Sequence, residues 1–211
     1  MIYAVQGTDA DRYPKWMAEM HRLRARVFRD RMKWDVVVKD GREIDGFDSL
    51  NPLYLLSIDP AGSVVGTLRL LPTTGPNMLR DVFPELLSAG DNVESPTIWE
   101  SSRFAVDLAA PSKPGIRVNQ VTTELLCGIV EIGMIAGLSM IVSVFDAYML
   151  RVLRSAGYGP DLLGTPKKIG SVMAHAGLFD VSEEAWQRIA AVGGVRDRVF
   201  SPDSDRPARA A

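Results

Sequence analysis

Eight charged or aromatic side chains in the first half of the chain are of types that do chemistry when folding brings them together: Arg24, Phe28, Trp34, Asp45, Asp48, Arg69, Glu100 and Arg103. Several lie in or beside apolar stretches, where a charge is costly without a partner. Arg69 interrupts the strand pattern Thr67-Leu68-Arg69-Leu70-Leu71, and the carboxylates offered to it are Asp45, Asp48 and Glu100. Glu100 sits in an apolar segment, where a carboxylate's pKa rises until it can accept a proton near neutrality. A structural ion pair with an arginine is the alternative. Asp45 and Asp48, three apart between glycines, suit a capped turn or a pair of acceptors for a ligand amine. Phe28 and Trp34 read either as core or as aromatic faces for a cation such as a sulfonium or a guanidinium. Arg24 alone reads as solvated, but with these neighbours it joins a shared polar pocket.

Other chemistries fare badly. His21 and His175 are the two histidines and Cys127 the one cysteine, too few for a zinc cluster or a disulfide framework. A calcium loop lacks its run of oxygen ligands and closing Glu. Phosphate-binding loops, a dinucleotide glycine pattern and a serine nucleophile elbow are absent. What remains is the positioning of two substrates with one carboxylate as base, and neither a metal nor a cofactor is expected. Cys127 reads as a core thiol of a reducing compartment. The net charge of -2 gives no general pull toward nucleic acid, so any basic docking surface must be local. The first residues are too short and too weakly basic for a signal peptide, and no apolar run approaches about 18 residues. A soluble, cytoplasmic protein is expected, with no membrane partner.

The elements that must position these groups follow from periodicity. With 211 residues the chain suits one domain over residues 1–200, followed by a polar, frayed tail at 201–211. A short strand at 2–6 precedes a helix opened by Pro14, with Trp16, Met20, Leu23 and Val27 on one stripe and Arg24 one turn before Phe28. Residues 29–49 read as a long loop of the functional kind. Strands follow at 53–58 and 63–71, joined by Asp59-Pro60-Ala61-Gly62 and so antiparallel. A short helix is expected at 78–87, a strand at 97–106, a loop at 107–115 and a long apolar helix at 117–136 stopped by Gly137. A buried strand at 138–145, a helix at 147–155, a strand at 168–175 and a helix at 182–192 complete the chain. Strict alternation places Glu100 and Arg103 on opposite faces of their strand, so both line one site only if a bulge or a splay interrupts it. The order predicts an α+β fold, a central mixed sheet flanked by helices in an α/β/α sandwich, the order also found in Gcn5-like acyltransferases.

Three stretches resemble the acyl-homoserine-lactone synthases, the autoinducer synthases of bacterial quorum sensing: RLRARVFRDRMKW at 22–34, EIDGFD at 43–48 with Tyr54-Leu55-Leu56 after it, and GTLRLLPTTGPNMLRDVFP at 66–84 leading to WESSRF at 99–104. The resemblance covers roughly residues 1–175. It implies a Gcn5-like fold, S-adenosylmethionine as one substrate, and a fatty acyl thioester on acyl carrier protein or coenzyme A as the other. The amine of S-adenosylmethionine attacks the thioester to form an amide, and its carboxylate then displaces methylthioadenosine and closes the lactone.

Carried onto this sequence, the resemblance makes Arg24, Phe28 and Trp34 a lid on the S-adenosylmethionine site. Asp45, Asp48, Arg69 and Arg103 become the network that orients its amino and carboxylate groups, with Phe83 and Phe104 nearby. Glu100 becomes the base or its positioning partner. The second half is expected to build an acyl tunnel between the sheet and the helices after residue 117, from Leu125, Ile129, Met140, Val142, Ser143, Val144, Phe145 and Met149. Ser143 stands where a Thr in this family goes with 3-oxo chains. Arg151, Arg154, Lys167 and Lys168 are a local positive set suited to an acidic carrier protein or to plain solvation. Two other readings compete. A coenzyme-A-dependent N-acetyltransferase is disfavoured because Phe104 is followed by Ala-Val-Asp-Leu-Ala-Ala-Pro and not by a Gly-rich loop. A non-catalytic acyl-binding module would need neither Glu100 nor the Asp pair aimed at the cleft.

Overall fold

The computed structural model describes residues 1–108 and 118–200. Strand β1 (Ile2–Gln6) leads through a 3-10 turn to helix α1 (Pro14–Ala25), with Pro14 in the first helical turn, where its missing N–H costs nothing. Met20, Leu23 and Val27 form the buried stripe. Past Ala25 the helix loosens into a π-helical turn, Arg26–Arg31, with Met32 N–H reaching back to the Val27 carbonyl. Such turns recur at functional sites. Here it brings Phe28 and Trp34 into contact across a reversal at Lys33, whose φ is +57°.

The expected loop at 29–49 is more structured than its composition suggests. It contains a hairpin of β2 (Val38–Lys39) and β3 (Arg42–Glu43) and then a 3-10 turn, Gly46–Leu50. The hairpin closes on Asp40-Gly41, both at positive φ, the pair favoured in the tight turns that match strand twist.

Strands β4 (Leu53–Ile58) and β5 (Val64–Pro72) pair antiparallel. The helix expected at 78–87 is two short pieces, α2 (Met78–Asp81) and a 3-10 turn at Pro84–Leu86, because Pro84 cannot donate the hydrogen bond that would continue α2. Strand β6 (Ile98–Val106), helix α3 (Gln120–Ile135), strand β7 (Met140–Asp146) and helix α4 (Ala147–Ser155) follow as expected to within a few residues. The strand expected at 168–175 is corrected. The chain forms a hairpin of β8 (Asp161–Ile169) and β9 (Val172–Asp180), and 168–175 straddles its turn. Strand β8 was hidden by Pro166 and two lysines, which suit an edge strand that pairs on one side only. Helix α5 (Glu183–Gly193) closes the described chain. Most of the loop expected at 107–115 and all of the tail at 201–211 lie outside the described residues.

One seven-stranded sheet results, in the order β1-β4-β5-β6-β7-β9-β8. Among the described strands the one parallel pair is β6–β7, the pair whose connection contains α3 and therefore crosses over. One face packs against α1 and, further along, α2. The other packs against α3, α4 and α5 in the largest core. At Gly66 of β5 a Cβ would lie 2.5 Å from Val121 and 3.0 Å from Leu125, so glycine there lets α3 seat on the sheet. Among the described residues no helix is long and apolar enough to cross a membrane.

Two irregularities shape the middle of the sheet. The β5–β6 register shifts between Thr67 and Arg69, so that Leu68 faces both Arg103 and Phe104, and Arg103 adopts φ +55°. This is a bulge with its first residue left-handed. The parallel pairing of β6 with β7 ends at Ser101–Ser143, although β6 continues to Val106 and β7 to Asp146. Beyond that point the two strands part.

Candidate active site

The bulge answers the alternation problem. It turns Arg103 onto the face that carries Arg69 and Glu100, toward α1, while Phe104 is turned to the α3 side and packs on the large core. Phe104 is thus corrected as a neighbour of the polar cluster. Phe83 packs beside the small core around Leu79, Leu86 and Val142.

Three guanidinium groups and three carboxylates interlock on that face. Arg24, fully buried on α1, donates from Nε to Glu43 at 2.5 Å and from both terminal nitrogens to Asp48 at 2.8 and 2.9 Å. Arg69, also fully buried, donates to Asp45 at 2.5 and 3.1 Å, to Asp48 at 3.0 Å and to the Ser102 hydroxyl at 3.1 Å. Arg103 donates to Glu43 at 3.1 Å, pairs with Asp45 at 2.7 Å, and lies over the Phe28 ring at 5.5 Å. Opposite charges in equal number offset the desolvation that would make a single buried ion untenable.

The local backbone sets these groups. Asp45 caps the 3-10 turn, accepting from Phe47 N–H, and Asp48 returns a bond to Asp45 N–H at 2.8 Å. The capped-turn reading of the aspartate pair holds, and the turn aims the remaining carboxylate lone pairs at the arginines. Tyr54, the cross-strand neighbour of Arg69, donates to Asp48 at 2.8 Å. Burial pushes the Asp48 carboxyl up, but the hydrogen bond and charge of Arg24, then the charge of Arg69, outweigh it and hold the group well below the ordinary carboxylate range. Burial also lowers the Arg24 pKa, and its bonds to Asp48 and Glu43 more than restore it.

Glu100 behaves differently. It is 1% exposed and takes part in no ion pair among the described residues, so the alternative reading, a structural ion pair with an arginine, is not what the structure shows. Its oxygens accept the N–H groups of Met78 at 2.9 Å and Leu79 at 2.6 Å, at the start of α2. Burial raises its pKa, and those two N–H groups, together with the charges of Arg69 and Arg103, offset only part of the rise. The thioether of Met78 in turn receives N–H groups from Arg69 at 3.5 Å and Arg103 at 3.3 Å. Phe28 and Trp34 stack at 5.4 Å, and the Trp34 indole N–H is buried with no hydrogen-bond partner.

Four members of the site escaped the sequence reading: Glu43, Tyr54, Ser102 and Met78. Glu43 carried a signal, since an extended chain places residues 43 and 45 on one side. Tyr54 and Ser102 are legible once the register is known, because they flank Arg69 on its two neighbouring strands.

The acyl-tunnel candidates divide. Leu125, Ile129 and Phe145 are packed in the α3-side core with Met149 at its margin, whereas Val142 and Val144 face the α2 side, and alternation places Met140 with them. A single tunnel between the sheet and the helices after residue 117 therefore cannot be lined by all of them. Ser143 stands where β6 and β7 part, its hydroxyl donating to the Ser101 carbonyl at 2.7 Å. Arg151, Arg154, Lys167 and Lys168 are exposed, the first two on α4 and the others on β8.

Comparison with known proteins fits this geometry. Residues 9–189 match the autoinducer synthase family. An acyl-homoserine-lactone synthase of Rhizobium radiobacter is 35% identical over 212 aligned residues, covering 100% of this chain and 99% of that protein. The structure of BjaI, a coenzyme-A-dependent acyl-homoserine lactone synthase solved with S-adenosylmethionine and isopentyl-CoA, superposes with a TM-score of 0.81 at 26% identity, covering 94% of this chain and 91% of that one. An acyl-CoA N-acyltransferase from Pseudomonas aeruginosa, 14% identical with a TM-score of 0.55 over 84% of this chain and 97% of that one, shares the fold alone. The chain belongs to the autoinducer synthase family, as an acyltransferase that makes N-acyl-homoserine lactones.

Proposed function

We propose that the ion-pair cluster holds the amino-acid end of S-adenosylmethionine and that the acyl thioester enters where β6 and β7 part. The observation that carries this reading is the adjacency of the two features: Ser102 and Arg103, which belong to the cluster, are the first β6 residues beyond the last β6–β7 pair. Backbone groups freed by the parting strands are donors and acceptors for the amides of a thioester's pantetheine arm. An acyl chain threading the gap meets both faces of β7, so Val144 and Phe145 can line it together although they point opposite ways.

In the first step the amine nitrogen attacks the thioester carbonyl carbon, the carbon–sulfur bond breaks, and the sulfur leaves as a thiolate that takes up a proton on release. The proton lost by the amine goes to Glu100 through an intervening relay, because both Glu100 oxygens already accept N–H groups. Asp45, with 19% of its side chain exposed, is the most accessible carboxylate of the cluster and faces the amine. In the second step a carboxylate oxygen attacks the carbon beside the sulfonium. That carbon–sulfur bond breaks and methylthioadenosine departs, with no net oxidation. Phe28 and Trp34 supply aromatic faces toward the sulfonium. The acyl group arrives on acyl carrier protein or coenzyme A, and Arg151, Arg154, Lys167 and Lys168 offer exposed positive charge to an acidic carrier protein.

The test is turnover by the purified chain supplied with S-adenosylmethionine and a mixed pool of acyl-CoA and acyl-carrier-protein thioesters. Mass spectrometry should show an N-acyl-homoserine lactone and methylthioadenosine in equal amounts. Thioester consumption without methylthioadenosine would point instead to a simple N-acyltransferase.

A further inference from the structure

We infer that Glu43 is a positioning residue: it grips Arg103 at Nε and so presents the outer edge of that guanidinium to the carboxylate of the amino-acid substrate. The inference rests on the proposed placing of S-adenosylmethionine in the cluster and adds a residue that the placing itself does not require.

Glu43 is buried where burial of a charge is least expected. Across residues 38–44 it alone is buried, at 1% exposure, on a hairpin whose other side chains are half or fully exposed. A hairpin that needed only an anchor would bury an aliphatic side chain, and Ile44, the next residue, is instead 48% exposed. What the carboxylate does is divide its oxygens, Oε2 to Arg24 Nε and Oε1 to Arg103 Nε. Both arginines are thus held by the inner nitrogen, which fixes the plane of each guanidinium and leaves its terminal nitrogens for other partners.

Those terminal nitrogens are not equally engaged. Both of Arg24 reach Asp48, and both of Arg69 reach Asp45. Arg103 Nη2 reaches Asp45, but among the described residues Nη1 has only the Met78 sulfur, at 3.3 Å. A thioether is a weak acceptor on a flexible side chain, so an incoming carboxylate gains a charge-assisted bond by taking its place. Arg103 is also the most exposed of the three, with 10% of its side chain accessible against 1% and 0%. With the Glu43 bond gone, the guanidinium is free to turn about its long stem and the docking edge is lost.

The test compares two ligands on the full chain. S-adenosylmethionine carries the carboxylate, and methylthioadenosine shares its nucleoside and sulfur but has no amino-acid end. Glu43→Gln should weaken S-adenosylmethionine binding by about tenfold or more, the worth of one hydrogen bond to a charged group, while methylthioadenosine binds as in the wild type. Glu43→Asp keeps the charge on a shorter stem and should recover part of the loss. Equal weakening of both ligands would mean a general structural defect and overturn the inference, as would unchanged binding of both. If neither variant melts cooperatively, Glu43 serves stability alone and the inference also falls. A wild-type chain that binds neither ligand contradicts the proposed site itself, a separate outcome.

Discussion

Glu100 and Arg103 are joined through one methionine. Glu100 accepts the backbone N–H of Met78, and Arg103 donates to the sulfur of the same residue. The two lie on β6 three residues apart and share a face only because Arg103 takes φ +55° in the bulge. A change at either end is therefore felt at the other without direct contact between them.

Replacement of Glu100 by Gln keeps the shape but removes the charge. General acid–base groups contribute about a hundredfold or more to rate, so amide formation should fall by at least that factor. The wild-type kcat/KM should lose activity in acid above the ordinary carboxylate range, because burial raises the Glu100 pKa, and this limb should disappear in the variant. Near-native turnover by Glu100→Gln would sink the proposed role. The fold should be followed by circular dichroism, since the new amide turns an N–H group toward one of the two backbone donors it replaces.

Arg69→Ala should cost stability as well as activity. Arg69 is fully buried and holds Asp45, Asp48 and Ser102 at once. Its removal leaves three carboxylates to two guanidinium groups in a poorly solvated site, one buried negative charge in excess, a loss of about 3–5 kcal/mol, to be read from urea unfolding at constant m-value. A loss below 1 kcal/mol on the same measurement would show that water replaces the guanidinium freely, in the range usual for exposed pairs.

Acid should unfold the chain through Asp48. Its pKa is depressed in the folded state, so it stabilises above the ordinary carboxylate value and that stability drains away as pH falls through the folded value. Glu100 has the opposite sign: its pKa is raised, so its contribution is full below the ordinary value and declines as pH rises through the raised one. Tyr54→Phe deletes the hydroxyl that Asp48 accepts and should lower stability by about 1–2 kcal/mol. Urea midpoints across the acid range should show a shallower acid loss in that variant, and parallel curves would remove Tyr54 from the network.

Arg69 and the aspartates could be joined from sequence because a buried charge must be paired and few candidates lay near it. Glu43 had only its spacing from Asp45 to show it, since its burial depends on a hairpin built from Asp40 and Gly41 inside what reads as an open loop. Strand β8 was masked for a related reason: an edge strand needs no apolar alternation. The acyl candidates divide between the two faces of the sheet for a different reason. Their apolar character was right, but composition says nothing about where two parallel strands stop pairing, and that point, Ser101–Ser143, decides which residues can share a ligand.

Chain-length selection follows from that gap. If the acyl chain passes between β6 and β7, Phe145 on one face and Met140 and Val144 on the other limit how far it reaches. One methylene in a filled apolar pocket is worth about 1–3 kcal/mol, so selectivity should be graded, with neighbouring lengths accepted more slowly. Phe145 is 5% exposed, stacked on His175 at 6.1 Å and edge-on to Phe179 at 5.8 Å. Phe145→Ala should thus lengthen the products and also cost about 3–5 kcal/mol of stability. Met140, half-buried and outside the main cores, separates the two effects. Met140→Ala should shift the product spectrum toward longer chains with little loss of stability and unchanged binding of S-adenosylmethionine. Mass spectrometry of lactones made from a mixed acyl-donor pool reads both variants. The same spectrum in both would place the acyl chain outside the gap between the strands.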